Sequence, residues 1–347
     1  MNVCLLGTTG LWMMAGYVAC AEVRPWTNDK GQVMQAEYVS SDGSTVELSR
    51  AGKTIRYELA KLSQADRDFV KERMAAPSPV AKSARTGWMA DFLIANPAFT
   101  DTKGYLTSRN AKAVYKAFAS GGFPSSWSVN KKDAEHEFAY SGGKAIVYVP
   151  SSYDGTESMG VYLHVSPGDG GENVTNYAPV MDRLGLIYVS AKGTSNNQPM
   201  LRRVKLSVDA LAAVKAEWKV DPKRVCVGGL SGGGHMAMLI HAMFPELFVG
   251  SVSHAAQSYL PGGGSCGHFP GLEQGDLKSG PFKGHKWCVI SGDKDQNYQE
   301  ILKSSKEWEI GRFDYRFFDV PGMAHSNAPP EKLEEVLRWL GVATPAS

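Results

Sequence analysis

The chain has 347 residues, of which 43% are hydrophobic and 21% charged, so pervasive disorder, a coiled coil and a polytopic membrane protein are excluded. With 37 Lys and Arg against 35 Asp and Glu, the net charge of +2 is too small for the field that general nucleic-acid binding needs, and no such partner is expected. The length suits one large domain and a small one. The first charged side chain is Glu22, and the apolar stretch before it ends in Ala19-Cys20-Ala21. Small residues at Ala19 and Ala21 suit signal-peptidase cleavage, so residues 1–21 read as an export signal, although no Lys or Arg lies near Met1. An uncleaved anchor or a lipid on Cys20 are the alternatives, and a secreted or periplasmic protein is expected. Beyond the signal remain Cys226, Cys266 and Cys288. Their odd number implies no disulfide framework, and Cys226 and Cys288 lie in apolar runs that predict buried thiols. Metal-ligand spacing is absent, so neither a metal nor another cofactor is expected.

Residues 22–73 carry short alternating runs (Met34, Ala36 and Tyr38; Val46 and Leu48; Ile55, Tyr57 and Leu59) separated by turn signals at Asp42-Gly43 and Gly52-Lys53, the pattern of a small antiparallel barrel. Arg24-x-Trp26-Thr27, Gly31, Ala36-Glu37, Val46-x-Leu48, Gly52-Lys53 and Leu62-Ser63-x-x-Asp66 resemble the Sla-type homology domain, a module with an SH3-like fold. That resemblance implies a peptide or surface partner for this unit. Residues 74–84 are rich in Ala, Pro and Ser and read as a linker; 74–132 is expected to be a linker and an irregular connection, with a helix over 110–119.

From residue 133 to 345 strands alternate with helical segments, which predicts an α/β domain with a mostly parallel sheet covered by helices. Strands are predicted at 135–140, 144–149, 161–165, 186–191, 224–227, 248–253, 286–291 and 315–320. Helices are predicted at 202–218, from His235 through Met243, and at 332–340.

The predicted strand at 224–227 runs through Gly228 into Gly229-Leu230-Ser231-Gly232-Gly233 and then into a helix, so a G-x-S-x-G motif sits at a strand-to-helix turn. Glycines on both sides let the turn tighten until the Ser231 hydroxyl projects. An unactivated hydroxyl needs a base oriented by a carboxylate. The strand at 286–291 leads to Gly292-Asp293-Lys294-Asp295, where Asp295 is the expected acid and Asp293 the alternative. After the last strand, Gly322-Met-Ala-His325 delivers the expected base, His325. For the oxyanion, one donor is expected from the N–H of Gly232 and the other from the loop Ser166-Pro167-Gly168-Asp169, where Pro167 has no N–H and Gly168 is favoured over Ser166 and Asp169. Of the remaining histidines, His136, His164, His235, His241 and His285 have bland explanations, whereas His254 and His268 flank a loop where they would line a pocket.

Tyr148-Val-Pro150, Asp221-Pro-Lys-Arg224, Phe244-Pro245-Glu246-Leu247-Phe248, Gly322-Met-Ala-His325 and Asp295-Gln-Asn297 resemble the alpha/beta-hydrolase superfamily, and more narrowly exported esterases similar to polyhydroxybutyrate depolymerases and feruloyl or acetyl xylan esterases. The resemblance implies an exported serine hydrolase that cleaves carboxylic esters, with acyl, feruloyl or acetyl groups on carbohydrate as the implied substrates. An exported serine peptidase of the same fold and a catalytically inactive polysaccharide- or surface-binding protein are the competing readings.

Overall fold

The computed structural model describes residues 23–41, 44–50, 53–75, 83–95, 98, 104, 106, 108–119, 142–258, 260–261, 268–269, 271–278 and 280–344. The predicted export signal, the predicted strand at 135–140, His136 and Cys266 lie outside the described residues. The chain divides into two compact units, residues 1–81 and 82–347.

In the first unit, β1 (Val23–Thr27), β2 (Val33–Ser41), β3 (Thr45–Arg50) and β4 (Lys53–Glu58) form an antiparallel sheet in sequential order. Alternation along the strands turns Trp26, Ala36, Val46 and Leu48 inward, where they join Leu59, Leu62 and Val70 in a core. The chain closes back on β1 through bonds from Asp29 N to Lys61 O (2.8 Å) and from Ser63 N to Thr27 O (2.7 Å). Val70 comes from α1 (Gln64–Ala75), a helix over residues that the alternation assigns to the barrel and to the start of the linker. Its start is marked by Ser63, whose Oγ accepts from Asp66 N and donates to the Asp66 carboxylate.

In the second unit, β5 (Gly87–Leu93) is followed by α2 (Arg109–Ala119), β6 (Lys144–Val149), β7 (Met159–Val165), α3 (Ala178–Leu184), β8 (Leu186–Ala191), α4 (Met200–Glu217), β9 (Val220–Leu230), α5 (Gly232–Met243) and β10 (Gly250–His254). The short pair β11 (Leu260–Pro261) and β12 (His268–Phe269) precedes β13 (Lys286–Ser291), α6 (Tyr298–Ile310), β14 (Tyr315–Asp319) and α7 (Pro330–Leu340). The main sheet has eight strands in the order β14-β13-β10-β9-β7-β8-β6-β5. β6 runs antiparallel to both neighbours and the block from β8 to β14 is parallel, which is the alpha/beta-hydrolase architecture expected above. Every residue of β7, β8 and β10 is buried, and β7 and β8 accordingly read as mostly apolar runs, whereas β10 fills its buried positions with small and polar residues. Leu201, Val204, Leu211, Met236, Ile240, Ile301 and Trp308 cover one face of the sheet. Val180, Leu184, Val336 and Leu340 of α3 and α7 cover the other.

The sheet starts at Gly87, inside the segment expected to be an irregular connection, so the α/β unit begins well before residue 133. β5 is an edge strand whose residues are only partly buried or exposed, and it therefore lacks the apolar run that marks the inner strands. Cys226 and Cys288 are free and buried, as their apolar surroundings predict.

Candidate active site

Because β9, β10, β13 and β14 are parallel neighbours, the segments following them emerge at one edge of the sheet. Ser231 lies between β9 and α5 with φ 54° and ψ −124°, a conformation costing a non-glycine residue of order 1–3 kcal/mol. Three backbone bonds hold it there: Ser231 N donates to His254 O (2.8 Å), and Ser231 O accepts from Gly234 N (2.8 Å) and His235 N (3.2 Å). The flanking glycines are required by space. A Cβ on Gly229 would lie 2.4 Å from Gly233 O, and one on Gly233 would lie 2.0 Å from Val165 O. The Ser231 side chain makes no capping bond to the helix.

Asp295 is fully buried at its side chain. Its Oδ2 accepts from Ser291 Oγ (2.7 Å), and its Oδ1 accepts from Asn297 N (2.9 Å) and from the His325 Nδ1–H (2.9 Å). The carboxylate acceptor places the imidazole proton on Nδ1 and leaves Nε2 as the basic nitrogen. The His325 side chain is 27% exposed, so the ring is neither sealed nor free. Asp293, the alternative acid, instead accepts from Gly322 N (2.5 Å) and shapes the turn before His325. A parallel bridge between Lys294 and Ala324 joins the two loops. No hydrogen bond joins Ser231 Oγ to His325; the two residues share the sheet edge without direct contact of that kind.

Gly232 opens α5, so its N–H has no intrahelical acceptor and is free to serve an oxyanion. The N–H of Gly168, the expected second donor, is donated to Ser166 Oγ (3.0 Å), and an oxyanion reaches it only by displacing that bond. Asn196, which the motif reading passed over, lies beside this place: its carboxamide packs so closely on Gly232 that a Cβ there would be 2.1 Å from Asn196 Oδ1. Asn196 N in turn donates to Pro167 O (3.0 Å).

Two further side chains tie the loops together. Glu172 Oε2 accepts from Ser166 Oγ (2.8 Å) and its Oε1 accepts from Asn327 Nδ2 (2.9 Å), joining the loop after β7 to the loop that carries His325. His254, whose carbonyl holds Ser231 N, has its Nδ1 accepting from Ala328 N (3.0 Å). Nε2 must then carry the proton and donate to Tyr162 Oη (2.9 Å), which donates to His164 Nδ1 (3.1 Å). Burial pushes the His254 pKa down to about 3, and burial, then the His254 ring, pushes His164 far below the ordinary histidine range. Both rings are therefore neutral and the direction of the chain is set. The expectation that His254 lines a pocket is corrected: its side chain is fully buried and bonded to Tyr162 and to Ala328 N. The side chain of His268 lies outside the described residues. Nothing in the spacing of Glu172, His254 or Asn196 relative to Ser231 signals these roles.

No family model matches the chain, and no curated protein sequence matches it. Among solved structures it is similar to Est1E from Butyrivibrio proteoclasticus, at 14% identity over 58% of this chain and 94% of that one, with a TM-score of 0.41. It is also similar to the thermophilic esterase Est2 from the Planctomycetes species Thermogutta terrifontis (16% identity, 59% and 90% covered, TM-score 0.43). A third is an S-formylglutathione hydrolase from Staphylococcus aureus (14%, 57% and 92%, 0.42). These likenesses concern the fold alone.

Proposed function

We propose that this protein is a serine hydrolase of carboxylic esters, with Ser231 as nucleophile, His325 as general base and Asp295 as the carboxylate that orients it. The observation that carries this reading is the strained Ser231 turn on the same sheet edge as the His325–Asp295 pair. In the first step His325 Nε2 takes the Ser231 proton while Oγ bonds to the ester carbonyl carbon. The carbonyl oxygen becomes an oxyanion facing the Gly232 N–H. Collapse expels the alcohol oxygen, which takes the proton from His325 and leaves an acyl-serine. Water, deprotonated by the same nitrogen, then releases the acid and restores Ser231. Asp295 stabilises the imidazolium through Nδ1–H at both stages.

On this reading the protein acts outside the cytoplasm on acyl groups, feruloyl or acetyl groups on carbohydrate being the class implied by the sequence resemblance, and the N-terminal unit meets a peptide or a surface. The test is hydrolysis of a short 4-nitrophenyl ester together with covalent labelling by a fluorophosphonate. Wild type should turn over and label, and Ser231→Ala should lose labelling and fall by roughly 10³-fold or more in kcat. Equal rates in the two proteins would refute the assignment, and an unlabelled wild type would favour an inactive binding protein.

A further inference from the structure

Arg203, in the first turn of α4, is only 6% exposed. Its Nε donates to Thr194 O (2.7 Å), but its Nη2 is sealed from solvent with no hydrogen-bond partner, and no carboxylate among the described residues pairs with it. Burial lowers its pKa to about 10, which leaves it charged at neutral pH. The other buried cations of this unit are treated differently. Lys205 is paired with Asp209, one turn further along the same helix. Arg224 donates to the carbonyls of Leu184, Gly185 and Val342 and to Thr344 Oγ1. A buried guanidinium with neither counter-charge nor a full set of acceptors is costly, and its persistence calls for a ligand that supplies both.

The position of Arg203 says what that ligand touches. Thr194 and Ser195 lie in the segment between β8 and α4, at the sheet edge that carries Ser231. Thr194 Oγ1 is 3.4 Å from Ser166 O in the candidate oxyanion loop, and Asn196, two residues on, packs against Gly232. His235, on the first turn of α5 and four residues after Ser231, has its pKa lowered to about 4 by burial first and by the Arg203 charge second. The guanidinium thus stands on the α4 side of the nucleophile, inside the same group of loops.

We infer that Arg203 anchors a subsite for a carboxylate on the substrate, so that the preferred ester is one bearing an acid on its acyl or its alcohol part. The inference rests on the esterase reading above. A carboxylate pairs with a guanidinium in a bidentate fork, giving Nη2 an acceptor and the buried cation its counter-charge in one contact.

The test compares two matched pairs of substrates. The 4-nitrophenyl half-ester of succinic acid against 4-nitrophenyl butyrate varies the acyl side, and 4-acetoxybenzoate against its methyl ester varies the alcohol side. In at least one pair kcat/KM should favour the acid by roughly tenfold to a hundredfold, and Arg203→Met should bring that ratio near unity. Wild-type preference for the neutral member of both pairs overturns the inference, as does a preference that survives in Arg203→Met. The wild-type ratios decide the matter even where the variant fails to fold. Thermal unfolding of Ser231→Ala with monophenyl succinate or phenyl butyrate separates the subsite from the chemistry. A rise in Tm with the acid alone supports the subsite even if no ester is turned over, and equal shifts count against it.

Discussion

His254, the last residue of β10, and His241, which packs on that strand at Ser251, are both wholly buried, and burial pushes both far below the ordinary histidine range. His241 Nδ1 faces Ser251 Oγ (3.2 Å), its Nε2 faces His285 Nδ1 (3.0 Å), and its ring stacks on Trp287 with centroids 4.0 Å apart. Nothing in that set carries or holds a candidate catalytic group. His254 ends on Ser231 N through its carbonyl and on Ala328 N through its ring, three residues from His325. Burial and a displaced pKa are therefore common to both, and only the groups at the far ends of their hydrogen bonds tell a positioning residue from a filled core.

The largest effect expected from this contrast falls on the acid that the reacting end depends on. Asp295→Asn should lower kcat by roughly 10³- to 10⁴-fold, because the amide no longer holds His325 with its proton on Nδ1. Asp293→Asn, which disturbs only the Gly322 turn, should cost about tenfold or less. Equal losses in ester hydrolysis would erase the distinction between the two carboxylates. Next, His254→Phe leaves the Ala328 N–H without its acceptor and loosens both loops, so kcat should fall roughly tenfold or more with KM little changed. His241→Phe should keep kcat within about twofold while lowering Tm. A His241→Phe enzyme as slow as His254→Phe would break the comparison.

The smallest difference between the two ends is in acid stability, where they should behave alike. His164, His235, His241 and His254 are neutral when folded, with burial the leading cause, and the folded values for His235 and His254 are about 4 and about 3. Unfolded, each protonates near 6.5. The unfolded state thus binds more protons as pH falls below 6.5, and stability present above that value drains away towards the folded pKa values. Each histidine contributes up to about 1.4 kcal/mol per pH unit in that window. Tm should fall steeply from pH 6.5 to 4, and His241→Phe should flatten the slope by about one proton. A Tm independent of pH over that range would contradict the neutral assignment at both ends.

Much of this molecule is written locally. The strands at 144–149, 186–191 and 286–291 are continuous apolar runs, and the structure places β6, β8 and β13 over the same residues. Ser231 is legible because a tight strand-to-helix turn demands glycines at fixed offsets, and those offsets are a property of adjacent residues. β5, with its partly exposed alternation, and α6, with few buried residues, lack such a mark and went unread. Sequence by itself marked the strands of the main sheet other than β5, the Gly-x-Ser-x-Gly turn and the small set of carboxylates and histidines from which a triad is drawn. Tertiary structure alone decided that His325 takes Asp295 and Asp293 takes Gly322, that Glu172 and His254 tie the loops, and that Arg203 meets no counter-charge among the described residues. Those outcomes depend on the sheet order, which brings side chains distant in sequence to one edge, and no local pattern of residues encodes that distance.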